Sequence, residues 1–340
     1  MQKLHHDSGS FGLRIRSETS SPSPWVRSQP GPSARTRDPI STLDYSPPLS
    51  AETPSRISSA PSSLLIRYSI MSAQNVGDVF QAFLDQVNRK RWDEARKYVQ
   101  PTLTYNDDEA SGDVFIGTLS ADLERQNVSR VALDALTVDH AGPKLAARSI
   151  AYAETPEGTK IASWSLVIVF FADNRISRFY QIFHRDLPGL PPTPLENPPP
   201  NQKSETPLSA EEMETTYLDY ITSYNRGGHK SAIERSWAEE VTMNGFKSPT
   251  AATPDIISQF LLPVIAGLDY GVEESVVDVE RQQIAVRLSL RGVAKNPNLQ
   301  KKGAEGEEVT HYEHALYTFL EGKISGGWAV QEFDMSPPPR

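Results

Sequence analysis

Apolar positions follow a helical period in the early part of the ordered-looking chain. Val76, Val79, Phe80, Phe83, Leu84 and Val87 recur at i, i+3, i+4 and i+7, the spacing of a helix with one apolar face. Trp92, Ala95 and Val99 predict a shorter second helix, which Pro101 ends. Leu103-Thr104-Tyr105 predicts a short strand and a loop follows. Leu119 to Val131 then predicts a third helix with Ser120 as its N-cap. Beyond this the period shortens to that of strands. Leu133 to His140, Leu145 to Ala153, Lys160 to Phe171 and Arg175 to His184 are separated by Gly-Pro, Pro-Glu-Gly and Asp-Asn breaks. Helices followed by a four-strand meander predict an α+β layer architecture, helices on one face of an antiparallel sheet.

The same order returns after a Pro-rich stretch, Leu187 to Thr206, which predicts an extended spacer. Ser209-Ala-Glu-Glu212 is a capping box opening a helix with Met213, Tyr217, Tyr220, Ile221 and Tyr224 on one face. Gly227-Gly228 breaks the chain before a short helix at Ala232 to Trp237. Thr253-Pro254 predicts the start of an apolar helix, Ile256 to Leu268, kinked at Pro263. Strands are predicted at Gly271 to Glu280, Gln283 to Val293, Val309 to Leu320 and Ile324 to Phe333, with Lys295 to Glu308 as an exposed loop. Setting Ile176 over Ile324 aligns FFADNRIS with TFLEGKIS, Trp164 with Tyr312, Tyr180 with Trp328 and Asp186 with Asp334. The expected organisation is a tandem repeat: 71–186, a linker at 187–208, 209–335, and a short tail at 336–340.

Composition narrows the function classes. The 340 residues leave room for about two domains. Residues 1–70 are rich in Ser, Pro and Arg and poor in large apolar side chains, so they are expected to be a disordered tail. Met71 opens MSAQNVGDVF, which reads as a usable initiator. The net charge of −9 is uneven: residues 1–70 hold 8 basic and 5 acidic residues, leaving 26 and 38 for the rest. An acidic body repels phosphate backbones, so no nucleic-acid partner is expected. Runs such as LVIVFF are too short to span a bilayer, so no membrane span is expected. The absence of cysteine removes disulfides and thiolate metal sites and suits a reducing, cytoplasmic setting.

The two hairpins carry a resemblance. Phe171-Ala-Asp-Asn-Arg-Ile176 to Asp186, and Phe319-Leu-Glu-Gly-Lys-Ile324 to Asp334, resemble the closing hairpin of the nuclear transport factor 2-like superfamily, within it the SnoaL-like proteins. The resemblance covers roughly 71–186 and 209–335. It implies two cone-shaped, cystatin-like domains, each with helices packed on a curved antiparallel sheet. The superfamily hosts polyketide cyclases, dehydratases, isomerases and epoxide hydrolases as well as non-catalytic binders, so fold does not choose the activity.

Two-residue turns predict which residues face each other. With Ala172 opposite Arg175, Ser163 would oppose His184 and Val167 would oppose Tyr180. With Leu320 opposite Lys323, His311 would oppose Glu332, Glu313 would oppose Val330 and Ala315 would oppose Trp328. On that register His184, His311 and Glu332 are the candidate acid–base residues inside the cones, with Ser163, Tyr180, Tyr105 and Trp328 as pocket lining. The competing reading for each pair is a solvated strand-end polar residue. His140 is a secondary candidate. His311 and His314 fall on opposite strand faces, so no metal is expected there, and no cofactor motif is present. Trp164, Leu166, Ile168 and Phe170, joined by Phe179 and Phe183, form a second apolar face. Its expected cover is the other repeat, as an intramolecular pseudo-dimer. Two functions are implied: a cofactor-independent cyclase, dehydratase or isomerase working by acid–base chemistry, or a non-catalytic module binding an apolar small molecule or a protein.

Overall fold

The computed structural model of the protein describes residues 73–139, 141–155, 157–185, 203–254, 265–295 and 308–333, with 193, 195 and 306. The expectations for the N-terminal tail, Met71, His140, Asp186 and Asp334 lie outside the described residues.

The first half opens with α1 (Ala73–Asn88), whose Val76, Phe80, Phe83, Leu84 and Val87 are buried as the periodicity predicts. Helix α2 (Trp92–Arg96) is followed at once by strand β1 (Val99–Tyr105), so Val99 begins a strand rather than ending a helix. A turn with Asn106 and Asp107 at positive φ leads to β2 (Asp108–Ser111), in a stretch read from sequence as a loop. Helix α3 (Gly112–Arg125) starts eight residues before the predicted cap. Ser111, not Ser120, is the N-cap, its Oγ accepting from Val114 N at 3.2 Å. Gly112 is required there: a Cβ would stand 2.4 Å from Arg96 Cζ and 2.6 Å from the Gln100 carbonyl. Strands β3 (Val128–Val138), β4 (Lys144–Glu154), β5 (Lys160–Ala172) and β6 (Arg175–Phe183) complete the sheet.

The second half holds α4 (Ala210–Ser223), opened by the Ser209–Glu212 capping box, and α5 (His229–Ser236). Strands β7 (Trp237–Met243), β8 (Phe246–Pro249), β9 (Ile265–Asp278), β10 (Gln283–Ala294), β11 (Glu308–Leu320) and β12 (Lys323–Gln331) follow. The helix expected over Ile256 to Leu268 falls outside the described residues except for its end, and Ile265 to Leu268 are strand.

Each half is a six-stranded sheet with the same order, β2-β1-β6-β5-β4-β3 and β8-β7-β12-β11-β10-β9. The sheets are mixed rather than antiparallel throughout, because β1 runs parallel to β6 and β7 parallel to β12. Inner residues of each sheet pack with that half's helices. Val167, Val169 and Phe171 join Phe80, Phe83 and Phe115 in the first core, and Ala315, Tyr317 and Phe319 join Met213, Tyr217 and Ile233 in the second.

A third buried cluster joins the halves. It combines Trp164, Leu166, Ile168, Phe170, Tyr180 and Ile182 with Val276, Ala285, Leu316, Trp328 and Val330. Contacts across this seam are reciprocal. Asp139 Oδ2 accepts from Val277 N and Asp278 Oδ2 accepts from Val138 N, both at 3.1 Å. Arg148 on β4 lies between Trp164 (4.9 Å) and Trp328 of the other half (5.0 Å). Arg287 on β10 lies between Tyr312 (3.7 Å) and Tyr180 of the other half (4.3 Å). Each guanidinium has a carboxylate partner, Asp134 for Arg148 and Asp107 for Arg287, and stacks in the geometry expected of cation–π contacts.

Candidate functional site

Both closing hairpins make the expected two-residue turn, with positive φ at Asp173 and Asn174 and at Glu321 and Gly322. Ala172 pairs with Arg175 and Leu320 with Lys323. One residue later the register breaks. Phe171 pairs with Ile176 but Phe170 pairs with Arg178, leaving Ser177 as the extra residue of a β-bulge. Phe319 pairs with Ile324 but Thr318 with Gly326, leaving Ser325. Each serine donates from Oγ to the carbonyl across the ladder, Ser177 to Phe170 and Ser325 to Thr318, both at 3.2 Å. A bulge turns the rest of its strand to the other face. The inner face of β5 and β11 is therefore as predicted, and that of β6 and β12 is reversed.

This reversal moves four of the seven predicted site residues. His184 is not inside the first cone: its N–H bonds the Trp164 carbonyl at 2.9 Å, and its ring stacks on Trp164 at 4.2 Å. Its Nε2 lies 2.7 Å from Thr193 Oγ1. Glu332 is not opposite His311. It bonds Tyr312, with its N–H donating to the carbonyl at 2.9 Å and Oε2 accepting from the Tyr312 N–H at 3.0 Å. Tyr180 and Trp328 line no cone either, since both belong to the cluster between the halves. Phe179 and Phe183, expected in that cluster, go to the first cone instead. Ser163, Tyr105 and His311 do face the cones.

The first cone holds a cavity with about 60 Å³ of room for water centres, against roughly 10–15 Å³ for one water. Phe80, Phe83, Phe115, Phe179 and Phe183 supply much of its wall, and Tyr105 and Ser163 line it. Its polar floor is neutral. Ser149 Oγ and Ser165 Oγ are 2.8 Å apart, and Gln181 Nε2 donates to Ser165 Oγ at 2.9 Å. Exposure marks the mouth: Val167 and Ser165 are each 2 % exposed, whereas Phe183 reaches 45 %. Asp122 is the one charged residue of the lining among the described residues, and Arg125 pairs with it at 2.7 Å. Burial first, and then the Asp122 charge, push the Tyr105 hydroxyl up, so it stays protonated.

At the matching place the second cone is filled differently. Ser165 pairs with Ser149 across β4 and β5, where Glu313 pairs with Leu288 across β10 and β11. Glu313 is buried, and desolvation raises its carboxyl to about 7, offset in part by Gln331 Nε2, which donates to Oε2 at 2.9 Å. Tyr217, Tyr220, Tyr224, Tyr270 and Tyr317 surround it. Burial raises all five hydroxyls, and the Glu313 charge adds to each. Tyr217 Oη is buried without a hydrogen-bond partner among the described residues. His311 is buried in the same cone, its ring 5.3 Å from that of Phe333. Sequence reasoning placed Glu313 on this face and passed over it as a site residue. The signal was a lone acid in the run EHALYTFL, alternating with residues of the inner face. Among the described residues no group of three or more His, Cys, Asp or Glu is placed to hold a metal ion, and no helix is long and apolar enough to cross a membrane.

No family model matches the chain, and no curated protein matches it. Solved structures do. A SnoaL-like polyketide cyclase from Agrobacterium tumefaciens is 23% identical, over 35% of this chain and 90% of that one, with a TM-score of 0.30. A protein with a cystatin-like fold from Methylobium petroleophilum is 12% identical, over 36% and 84%, with a TM-score of 0.30. An LEH-like epoxide hydrolase from M. tuberculosis is 15% identical, over 32% and 83%, with a TM-score of 0.28. The class defined by the chain's own geometry is an α+β protein with two halves, each built from helices and a six-stranded mixed sheet of the same strand order.

Proposed function

We propose that the first cone is a binding pocket for a small, mainly apolar molecule, which it holds without chemical change. The observation that carries this reading is the cavity itself, walled by phenylalanines and floored by Ser149, Ser165 and Gln181 with no carboxylate or imidazole among them. General acid–base catalysis needs a titratable group within hydrogen-bond reach of the reacting atom. Asp122 at the rim, paired to Arg125, is poorly placed for that role. Ligand-observed NMR with toluene tests the reading. Saturation transfer is expected from the wild-type chain and is lost in Ala151→Trp, which fills the cavity from β4. Equal transfer from both proteins refutes it.

A second reading places acid–base chemistry in the second cone, and one observation favours it: a buried carboxyl, Glu313, held at about 7. Such a value suits proton transfer near neutrality. Carbodiimide labelling of the native protein at pH 6 tests access. Modification of surface carboxylates with Glu313 untouched eliminates this reading.

The organisation expected from the sequence belongs with these proposals: two tandem units at 71–186 and 209–335, joined by a linker and packed as an intramolecular pseudo-dimer. The reciprocal Asp139 and Asp278 bonds and the paired Arg148 and Arg287 sandwiches support it.

A further inference from the structure

Resting on the reading of the first cone as a binding pocket, we infer that its ligand is a neutral molecule presenting a hydrogen-bond acceptor, such as a ketone, aldehyde or ester carbonyl, to the Ser149–Ser165 rung. The argument is an atom count. Two buried hydroxyls, 7 % and 2 % exposed, carry two hydrogens between them. One is used in the 2.8 Å Ser149–Ser165 bond, whichever of the two donates. Gln181 brings its own hydrogen to Ser165 Oγ, so it consumes an acceptor site and no hydroxyl hydrogen. If Ser149 donates to Ser165, the Ser165 hydrogen is left over. If Ser165 donates to Ser149, the Ser149 hydrogen is left over. Either way the rung has one O–H to give, and among the described residues no carbonyl or carboxylate takes it.

Both hydroxyls line the cavity, and a buried donor left unmet costs free energy that an incoming acceptor recovers. Tyr105, with its hydroxyl protonated, adds a second neutral donor to the same lining. Charge sets the remaining limit. Among the described residues the lining contains no Lys, Arg or His to compensate an anion, and its one charged residue, Asp122, repels one. A carboxylate of the same shape is therefore excluded, while a carbonyl is accepted. Room for water centres of about 60 Å³ restricts the ligand to monocyclic size.

The test compares three probes of nearly one shape on the full chain: acetophenone, α-methylstyrene, in which CH₂ replaces the carbonyl oxygen, and benzoate. Affinities come from NMR titration. Acetophenone is expected to bind roughly 3- to 10-fold more tightly than α-methylstyrene, the worth of one neutral hydrogen bond, and benzoate is expected not to compete. Combining Ser149→Ala, Ser165→Ala and Gln181→Leu is expected to erase the ketone's advantage. Equal affinity of the ketone and the alkene overturns the inference and leaves the pocket reading standing. Binding of benzoate as tight as that of acetophenone also overturns it. Binding of none of the three overturns the pocket reading itself. An advantage that survives in the triple variant assigns the donor elsewhere and sinks the inference. If that variant does not fold, the wild-type comparison of ketone and alkene decides alone.

Discussion

Replacing Glu313 by Gln removes a buried titration and keeps the shape of the side chain. The wild-type carboxyl is raised from 4.5 to about 7 by burial. Because the folded value lies above the unfolded one, the folded state holds the extra proton between those values. The contribution of this group is therefore fully present below pH 4.5 and is lost as pH rises through 7. The distance from 4.5 to about 7, at about 1.4 kcal/mol for each tenfold change in proton affinity, sets a ceiling of about 3.5 kcal/mol. Glu313→Gln carries no such loss, and its side-chain oxygen still accepts from Gln331 Nε2. At pH 8 the variant is expected to be more stable than the wild type by up to about 3.5 kcal/mol, and at pH 4 the two should agree within a few tenths.

Urea denaturation at half-unit steps from pH 4 to 8.5 measures this, provided the slope m is the same in both proteins. The readout is the difference between the two curves rather than either profile. His314, next along β11 but on the seam face, titrates with the opposite sign and is present in both proteins. A gap that stays constant with pH, or that closes as pH rises, refutes the assignment of Glu313 as a carboxyl kept neutral by burial.

His314 is itself lowered to about 3 by burial, and its Nδ1 is 3.0 Å from the Leu166 carbonyl of the other half. With its folded value depressed, the neutral ring's contribution is present above pH 6.5 and is lost as pH falls toward 3. In His314→Asn, whose amide nitrogen can take the place of Nδ1, the deficit against wild type at pH 7.5 should narrow by pH 4.5 in urea melts. Ile168, 1 % exposed in the cluster between the halves, should not tolerate Asp. A loss of roughly 4 kcal/mol or more predicts aggregation by size-exclusion chromatography, and a monodisperse, equally stable variant contradicts that packing. Gly327 stands where a Cβ would lie 2.2 Å from the Leu316 carbonyl. Gly327→Ala should therefore cost roughly 3 kcal/mol through displacement of the hairpin backbone, read as a lower urea midpoint.

Much of the fold was legible because its elements are long and regular. The α1 face, the Ser209 capping box and the four meander strands of each half each satisfy one period over many residues. The site was less legible because it depends on a single residue. Counting pairs from a correct turn gave a correct first rung and then a wrong face for β6 and β12, which carried His184, Tyr180, Trp328 and Glu332 to the wrong side. The signal was nonetheless in the chain. Ile176-Ser177 and Ile324-Ser325 align, and in both hairpins the serine is the bulged residue that bonds back to the opposite carbonyl. The start of α3 was misplaced for a similar local reason. Ser111-Gly112 supplies both a cap and the room to approach Arg96, whereas Ser120 lies in the middle of the helix.

The two faces of the long hairpins match between the halves to different degrees, and physical constraint accounts for the contrast. On the seam face, Arg148 and Arg287, Trp164 and Tyr312, Trp328 and Tyr180, and Asp139 and Asp278 hold matching places with matching chemistry. Trp328 completes the Arg148 stack from the other half, Tyr180 and Asp107 do so for Arg287, and each aspartate accepts an N–H of the other half; removing one partner of a buried charge costs roughly 3–5 kcal/mol. A change in one half therefore needs a compensating change in the other. On the inner face the polar contacts stay within one half, Ser149, Ser165 and Gln181 in the first and Glu313 and Gln331 in the second. Ser163 faces the first cone where His311 faces the second, and Ser165 where Glu313 does. One cone has a neutral rung above an open cavity, while the other packs a carboxyl among five tyrosines at a cost of about 3.5 kcal/mol above pH 7, which glutamine would avoid. That buried carboxyl is the strongest reason to look for chemistry in the second cone, just as the unspent hydroxyl hydrogen is the strongest reason to look for a ligand in the first.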